Sequence, residues 1–92
     1  IVIFGLGKDN LIISGGLTNR IFTIPSGISA EFNGIHLTNG AEVSSGGAFL
    51  NNGNVLLKDM KLSDNLENGT PKSFTNNTGA NIIVEGEVII EE

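Results

Sequence analysis

Apolar residues in this chain occupy alternate positions over short stretches: Ile28, Ala30 and Phe32, then Val55 and Leu57, then Ile82 and Val84. A period of two is that of a strand, whose successive side chains point to opposite faces. Asn, Gly, Ser and Thr interrupt the pattern every few residues, and no stretch sustains apolar residues at i, i+3, i+4 and i+7 over three helical turns. The chain is therefore expected to be all-β.

The strands recur in phrases. Phe22-Thr23-Ile24-Pro25-Ser26-Gly27, Phe49-Leu50-Asn51-Asn52-Gly53-Asn54 and Phe74-Thr75-Asn76-Asn77-Thr78-Gly79 follow one another in steps of 27 and 25 residues. A second phrase closes each unit: Leu11-Ile12-Ile13-Ser14-Gly15-Gly16, Ile35-His36-Leu37-Thr38-Asn39-Gly40 and Met60-Lys61-Leu62-Ser63-Asp64-Asn65, with Ile13, Leu37 and Leu62 spaced by 24 and 25. Two markers sharing one register describe a supersecondary unit that is repeated and stacked. Each unit reads as a Phe strand, an Asn/Gly corner, an alternating strand, a small or polar corner and a second alternating strand. Connections over residues 41–47 and 66–72 return the chain to the next phenylalanine.

A β-sandwich also has frequent strands, and Asn33-Gly34 or Asn52-Gly53 would serve as its hairpin turns. It gives no reason for one three-strand phrase to return in register. A parallel β-helix does, because each coil stacks on the last and like residues lie about 4.8 Å apart. The expectation is a solenoid of about three to four coils with a period of about 24 to 27 residues. Phe22, Phe49 and Phe74 should form one interior ladder, Ile13, Leu37 and Leu62 another, and Asn51 over Asn76 an amide ladder at a corner. Residues 1–92 read as a single β-helical segment, part of a longer repeat protein or a stacking subunit.

Composition sharpens this picture. Thirteen Gly and twelve Asn supply corners that tolerate positive φ, while twelve Ile fill pleated faces. Five basic against ten acidic residues, a net charge of −5, disfavours a nucleic-acid surface, which needs a basic patch. The absence of Cys removes disulfides and thiolate metal clusters. The absence of Trp and Tyr removes the usual platforms for stacking sugars and bases. No apolar run approaches the roughly 18 to 20 residues of a membrane span. The chain opens at Ile1 without a basic n-region, which suggests a processed or excerpted chain.

Gly46-Gly47-Ala48-Phe49-Leu50-Asn51-Asn52-Gly53, followed by Val55 to Asn65, resembles the GGA(I/F)xNxG and FxxN-type repeats of polymorphic outer-membrane proteins and related adhesin-like surface proteins. Asn33-Gly34-Ile35-His36-Leu37-Thr38-Asn39-Gly40 is similar to the SGLTITNG phrase of the same class. The resemblance runs over about residues 11–90. It implies a right-handed parallel β-helix displayed on, or secreted from, a microbial cell.

Candidate chemistry is sparse. Gly5-Leu6-Gly7-Lys8 lacks the first Gly and the Ser/Thr of a phosphate loop and reads as a corner between strands. His36, the single histidine, lies between Ile35 and Leu37, so alternation points it to solvent; Ser44 and Ser45 are near in sequence with nothing to fix a catalytic geometry. One His without Cys is a poor start for a zinc site. Asp59, Asp64, Glu31, Glu85 and Glu87 lie on or beside strands, and a step of 27 would stack Glu31, Lys58 and Glu85 as a charge ladder. A glycosidase would need two carboxyls about 5 to 9.5 Å apart in a groove that grips sugar. The calcium-roll nonapeptide is absent, while Asn68-Gly69-Thr70 and Asn76-Asn77-Thr78 fit the N-glycosylation pattern.

The expected role is a structural or adhesive surface module, a rigid rod without cofactor or enzymatic activity, placed at the cell surface or outside the cell. Its expected partners are neighbouring coils or copies end to end, and a surface glycan or protein; nucleic acid and membrane insertion are not expected. The rival readings are a β-helical polysaccharide lyase or glycosidase and a subunit of an extracellular filament. Both apolar ends of the stack, Ile1-Val2-Ile3-Phe4 and Val88-Ile89-Ile90, are expected to need covering by more polypeptide.

Overall fold

Residues with positive φ fall at equivalent points of successive units and turn the chain from one wall to the next. Gly34 (φ 70°), Asp59 (φ 50°) and Gly86 (φ 67°) mark one corner, and Asn39 (φ 56°) and Asp64 (φ 57°) mark the one after it. Gly, Asn and Asp are the residues that enter this left-handed region at least cost, which is why corners so spaced are written in them.

The computed structural model describes residues 1–42 and 46–91. Ser44 and Ser45, part of the 41–47 connection, and Glu92 lie outside the described residues. The chain is all-β, and no helix is present among the described residues. It begins with β1 (Val2–Phe4) and β2 (Ile12–Ser14), then runs through β3 (Phe22–Ile24), β4 (Ser29–Asn33), β5 (His36–Thr38) and β6 (Ala41–Glu42). The next circuit is β7 (Phe49–Asn51), β8 (Asn54–Lys58), β9 (Lys61–Ser63) and β10 (Leu66–Glu67). The last comprises β11 (Thr70–Pro71), β12 (Phe74–Asn76), β13 (Asn81–Glu85) and β14 (Ile89–Glu91).

Parallel sheets stack these circuits into a β-solenoid of about three turns. A long wall runs β1-β4-β8-β13, a Leu wall β2-β5-β9-β14 and a Phe wall β3-β7-β12. A short fourth wall, β6-β10-β11, was not among the strands the sequence pattern indicated. There Leu66 pairs with Ala41 in parallel, and the chain then doubles back through Asn68-Gly69 so that β11 meets β10 antiparallel. The 66–72 connection is thus mostly a hairpin, whose Asn-Gly turn suits two adjacent positive φ angles, 48° and 77°.

Register places Phe22, Phe49 and Phe74 opposite one another, likewise Ile13, Leu37 and Leu62, and Asn51 opposite Asn76. Phe49, Leu37 and Leu62 are fully buried, with Ile35, Leu57, Met60 and Ala48 completing the dry interior. Phe32, reaching in from the long wall, enters the aromatic stack. It lies 4.9 Å from Phe22 and 6.1 Å from Phe49, and Phe49 then stacks on Phe74 at 5.1 Å with ring planes 9° apart. Offset stacking of this kind adds to the burial of each ring.

The same registers keep the Lys58–Glu85 step of the charge ladder and correct the Glu31–Lys58 step. Glu31 stands opposite Leu56, while Lys58 stands between Asn33 and Glu85. The corner from Phe wall to long wall takes four residues in one circuit (25–28), two in the next (52–53) and four in the last (77–80). A corner two residues shorter moves the following strand by two positions, so a step of 27 holds on the Phe wall where 25 holds on the long wall beyond it.

Candidate functional site

The outer face of the long wall carries three rows. Ser29, Asn54 and Asn81 form one; Val2, Glu31, Leu56 and Ile83 the next; Phe4, Asn33, Lys58 and Glu85 the third. Asn81 Nδ2 donates to Asn54 Oδ1 at 3.0 Å, which fixes the amides at the wall's margin. An open groove of about 300 Å³ crosses the first two rows. Its aliphatic strip beside hydrogen-bonding amides suits an extended ligand with both apolar and polar edges; no aromatic side chain lines it.

At one corner of the Phe wall, Asn51 is fully buried and all of its amide is used. Nδ2 donates to Asn76 Oδ1 and to the Asn81 carbonyl, each at 2.9 Å, while Oδ1 accepts from the Gly53 amide at 2.9 Å. The ladder residues Asn51 and Asn76 therefore lock neighbouring rungs, a structural use of polar groups that burial makes costly to disturb.

His36 projects from the Leu wall, and its Nε2 lies 2.6 Å from Ser63 Oγ, which itself donates to Thr38 Oγ1 at 3.4 Å. With the Ser63 proton turned to Thr38, the imidazole is the donor, a tautomer assigned from the network. Burial pushes the His36 pKa down, and Lys61 in the next rung adds to the shift. A general base would need Nε2 to accept the hydroxyl proton and a third group to orient Nδ1. Among the described residues no hydrogen bond holds Nδ1, and Ser63 is buried. Alternation along the sequence points His36 to solvent, with Ser44 and Ser45 near it only in sequence. The contact it missed is diagonal, to the residue two beyond its register partner Lys61.

The candidate carboxylates are dispersed. Glu31 and Glu85 sit on different rows of the long wall with β8 between their strands. Asp59 Oδ1 accepts the Glu87 amide at 3.0 Å, and Lys8 reaches from the first loop to Glu87 Oε1 at 2.8 Å, which raises the Lys8 pKa. Asp64 is an exposed corner residue. Glu67 accepts from the Gly46 amide and the Thr75 hydroxyl, and these bonds hold its carboxyl below the usual range. Among the described residues no group of three or more His, Asp or Glu is placed to hold a metal ion.

The two ends of the stack are the remaining feature. Val2 (57% exposed), Phe4 (69%) and Ile12 (58%) crown one end, and Ile83 (59%), Val84 (55%) and Ile90 (40%) the other. The Phe wall has three strands where the long and Leu walls have four. The first end is therefore stepped, leaving an apolar notch of about 150 Å³ over Phe22, Ile24 and Phe32. Compared with protein-family models, curated proteins and solved structures, the chain matches none. What stands is the architecture, a parallel β-solenoid built from repeated rungs.

Proposed function

We propose that the chain is a structural module of a rigid rod, lengthened by further rungs on its ends, with its outer walls and short-wall hairpin as contact surfaces. One observation carries this reading: apolar residues, exposed or only partly buried, continue the same rows at both ends. Ile3 and Val84 terminate the Phe32/Leu57 row, Ile13 and Ile90 the Leu37/Leu62 row, and Val2 and Ile83 the outer row of the long wall. A copy laid head to tail brings Ile3 over Val84 and Ile13 over Ile90, apolar on apolar in both walls. Such a contact is heterologous and propagates rather than closes. The chain alone measures 29 × 29 × 17 Å, wider than it is tall, so rod shape requires stacking. The notch over Phe22 is one strand wide, and an incoming rung fills it with an extended segment.

The adhesive side of the proposal is supported by the resemblance of residues 46–53 to adhesin-like surface proteins; on this reading the rod stands outside the cell, with a surface glycan or protein as its partner. The long-wall groove is the contact surface with the right mixture of aliphatic and amide groups. Light scattering and negative-stain microscopy over a concentration series test the stacking. End-to-end growth that Val84→Asp abolishes is expected. A monodisperse monomer at high concentration refutes it.

A further inference from the structure

The chain contains four Asn-Gly pairs, Asn33-Gly34, Asn39-Gly40, Asn52-Gly53 and Asn68-Gly69. An asparagine followed by glycine is prone to spontaneous loss of its amide, because glycine has no side chain to shield its own nitrogen. In that reaction the Gly nitrogen loses its proton to solvent hydroxide and attacks the Asn Cγ, and Nδ2 takes a proton from water as it departs. The new C–N bond closes a five-membered succinimide, the Cγ–Nδ2 bond breaks, and ammonia leaves. Water then opens the ring at either carbonyl to yield aspartate or isoaspartate.

Three of the four attacking nitrogens are tied down. Gly34 N–H donates to the Lys58 carbonyl at 3.0 Å, Gly40 N–H to Asn65 Oδ1 at 2.8 Å, and Gly53 N–H to Asn51 Oδ1 at 2.9 Å. Each acceptor belongs to the rung ladder or its buried corners, so freeing the nitrogen means opening the stack. Gly69 N–H makes no hydrogen bond among the described residues. Asn68, Gly69, Thr70, Pro71 and Lys72 are all exposed; β11 pairs with β10 through Leu66 with Pro71 and Glu67 with Thr70, and the Lys72 amide on the Asn65 carbonyl at 3.0 Å closes the base below the turn. The turn can therefore open to the attack geometry without disturbing the core.

The geometry points to Asn68 as a site of spontaneous covalent modification, with solvent as the base, water as the co-reactant, and Asn33, Asn39 and Asn52 protected by the fold. The product places a new carboxylate beside Glu67, whose Oε1 holds the Gly46 amide at 2.8 Å and the Thr75 hydroxyl at 3.0 Å. Its isoaspartyl form also lengthens the main chain in a hairpin anchored by the Asn68 amide on the Glu42 carbonyl at 2.6 Å. The modification thus reshapes and recharges the tip of the short wall irreversibly with the age of the molecule.

Incubating the intact chain in mildly alkaline buffer and mapping its peptides by mass spectrometry reads the gain of one mass unit at each pair. A parallel incubation in guanidinium reads the rates of the unfolded chain. In the folded protein Asn68 is expected to convert at least about tenfold faster than each of the other three, the factor that one retained hydrogen bond contributes near the top of its ordinary net strength. In guanidinium the four rates should converge. A smaller margin in the folded chain, no conversion at Asn68, or the same preference for Asn68 in guanidinium overturns the assignment.

Discussion

Replacing Phe49 by Ala removes the one aromatic ring of the interior stack that has a ring neighbour on the Phe wall and another on the long wall. The side chain is 0% exposed, with Phe74 at 5.1 Å and Phe32 at 6.1 Å. Truncating a fully buried Phe costs about 3 to 5 kcal/mol, which combines lost transfer energy, the cavity and the stacking contacts. A domain of this length is stable by roughly 5 to 14 kcal/mol in total, so the variant should sit near its unfolding threshold. Phe74→Ala is the internal comparison. It occupies the same row but lies at the end of the stack, half-buried and with one ring partner, and about half the Phe49 cost is expected. Lys58→Ala, on the exposed face, should cost under about 0.5 kcal/mol. Urea unfolding followed by far-UV circular dichroism at low protein concentration gives the three values from midpoints at constant slope. Were Phe49→Ala to cost less than about 1 kcal/mol, or Phe74→Ala to cost as much as Phe49→Ala, the interior stack would not be the source of stability argued here.

Asn51→Leu keeps the branched shape and heavy-atom count of the side chain but strands the buried Gly53 amide and removes two donated bonds, so about 2 to 4 kcal/mol should be lost in the same unfolding assay; a neutral result would mean the corner ladder adds nothing. For His36 the folded pKa lies below the ordinary value of 6.5, so its stabilising effect is whole above that value and fades as the pH falls from it through the folded pKa. A proton NMR titration of the imidazole should show a midpoint below 6.5, and a midpoint above it contradicts the desolvated setting. Assays on uronic-acid and neutral polysaccharides should show no turnover; activity lost in Asp59→Asn or Asp64→Asn would restore the enzyme reading.

The repeat, the strand content and the rows that meet were legible in the order of residues. Alternation and the recurrence of Phe22, Phe49 and Phe74 are local properties, and parallel stacking converts equal spacing directly into contact. Corners were legible too, since only a few residue types enter the left-handed region cheaply, although which of them is Gly34, Asp59 or Gly86 carries no contact information by itself.

What only the tertiary structure decided concerns offsets that accumulate across corners. Glu31 missed Lys58 because residues 52–53 make a shorter corner than residues 25–28, and a period read on one wall need not hold on the next. His36 met Ser63 diagonally rather than a serine near it in sequence. Phe32 joined the aromatic stack from a different strand phrase, and Asn68-Gly69, one of four like pairs, became the single one with an untied nitrogen. Period and residue type are set along the chain, whereas these contacts depend on the distance between walls and on which amide finds an acceptor across a rung. That information exists only once the coils are closed and stacked.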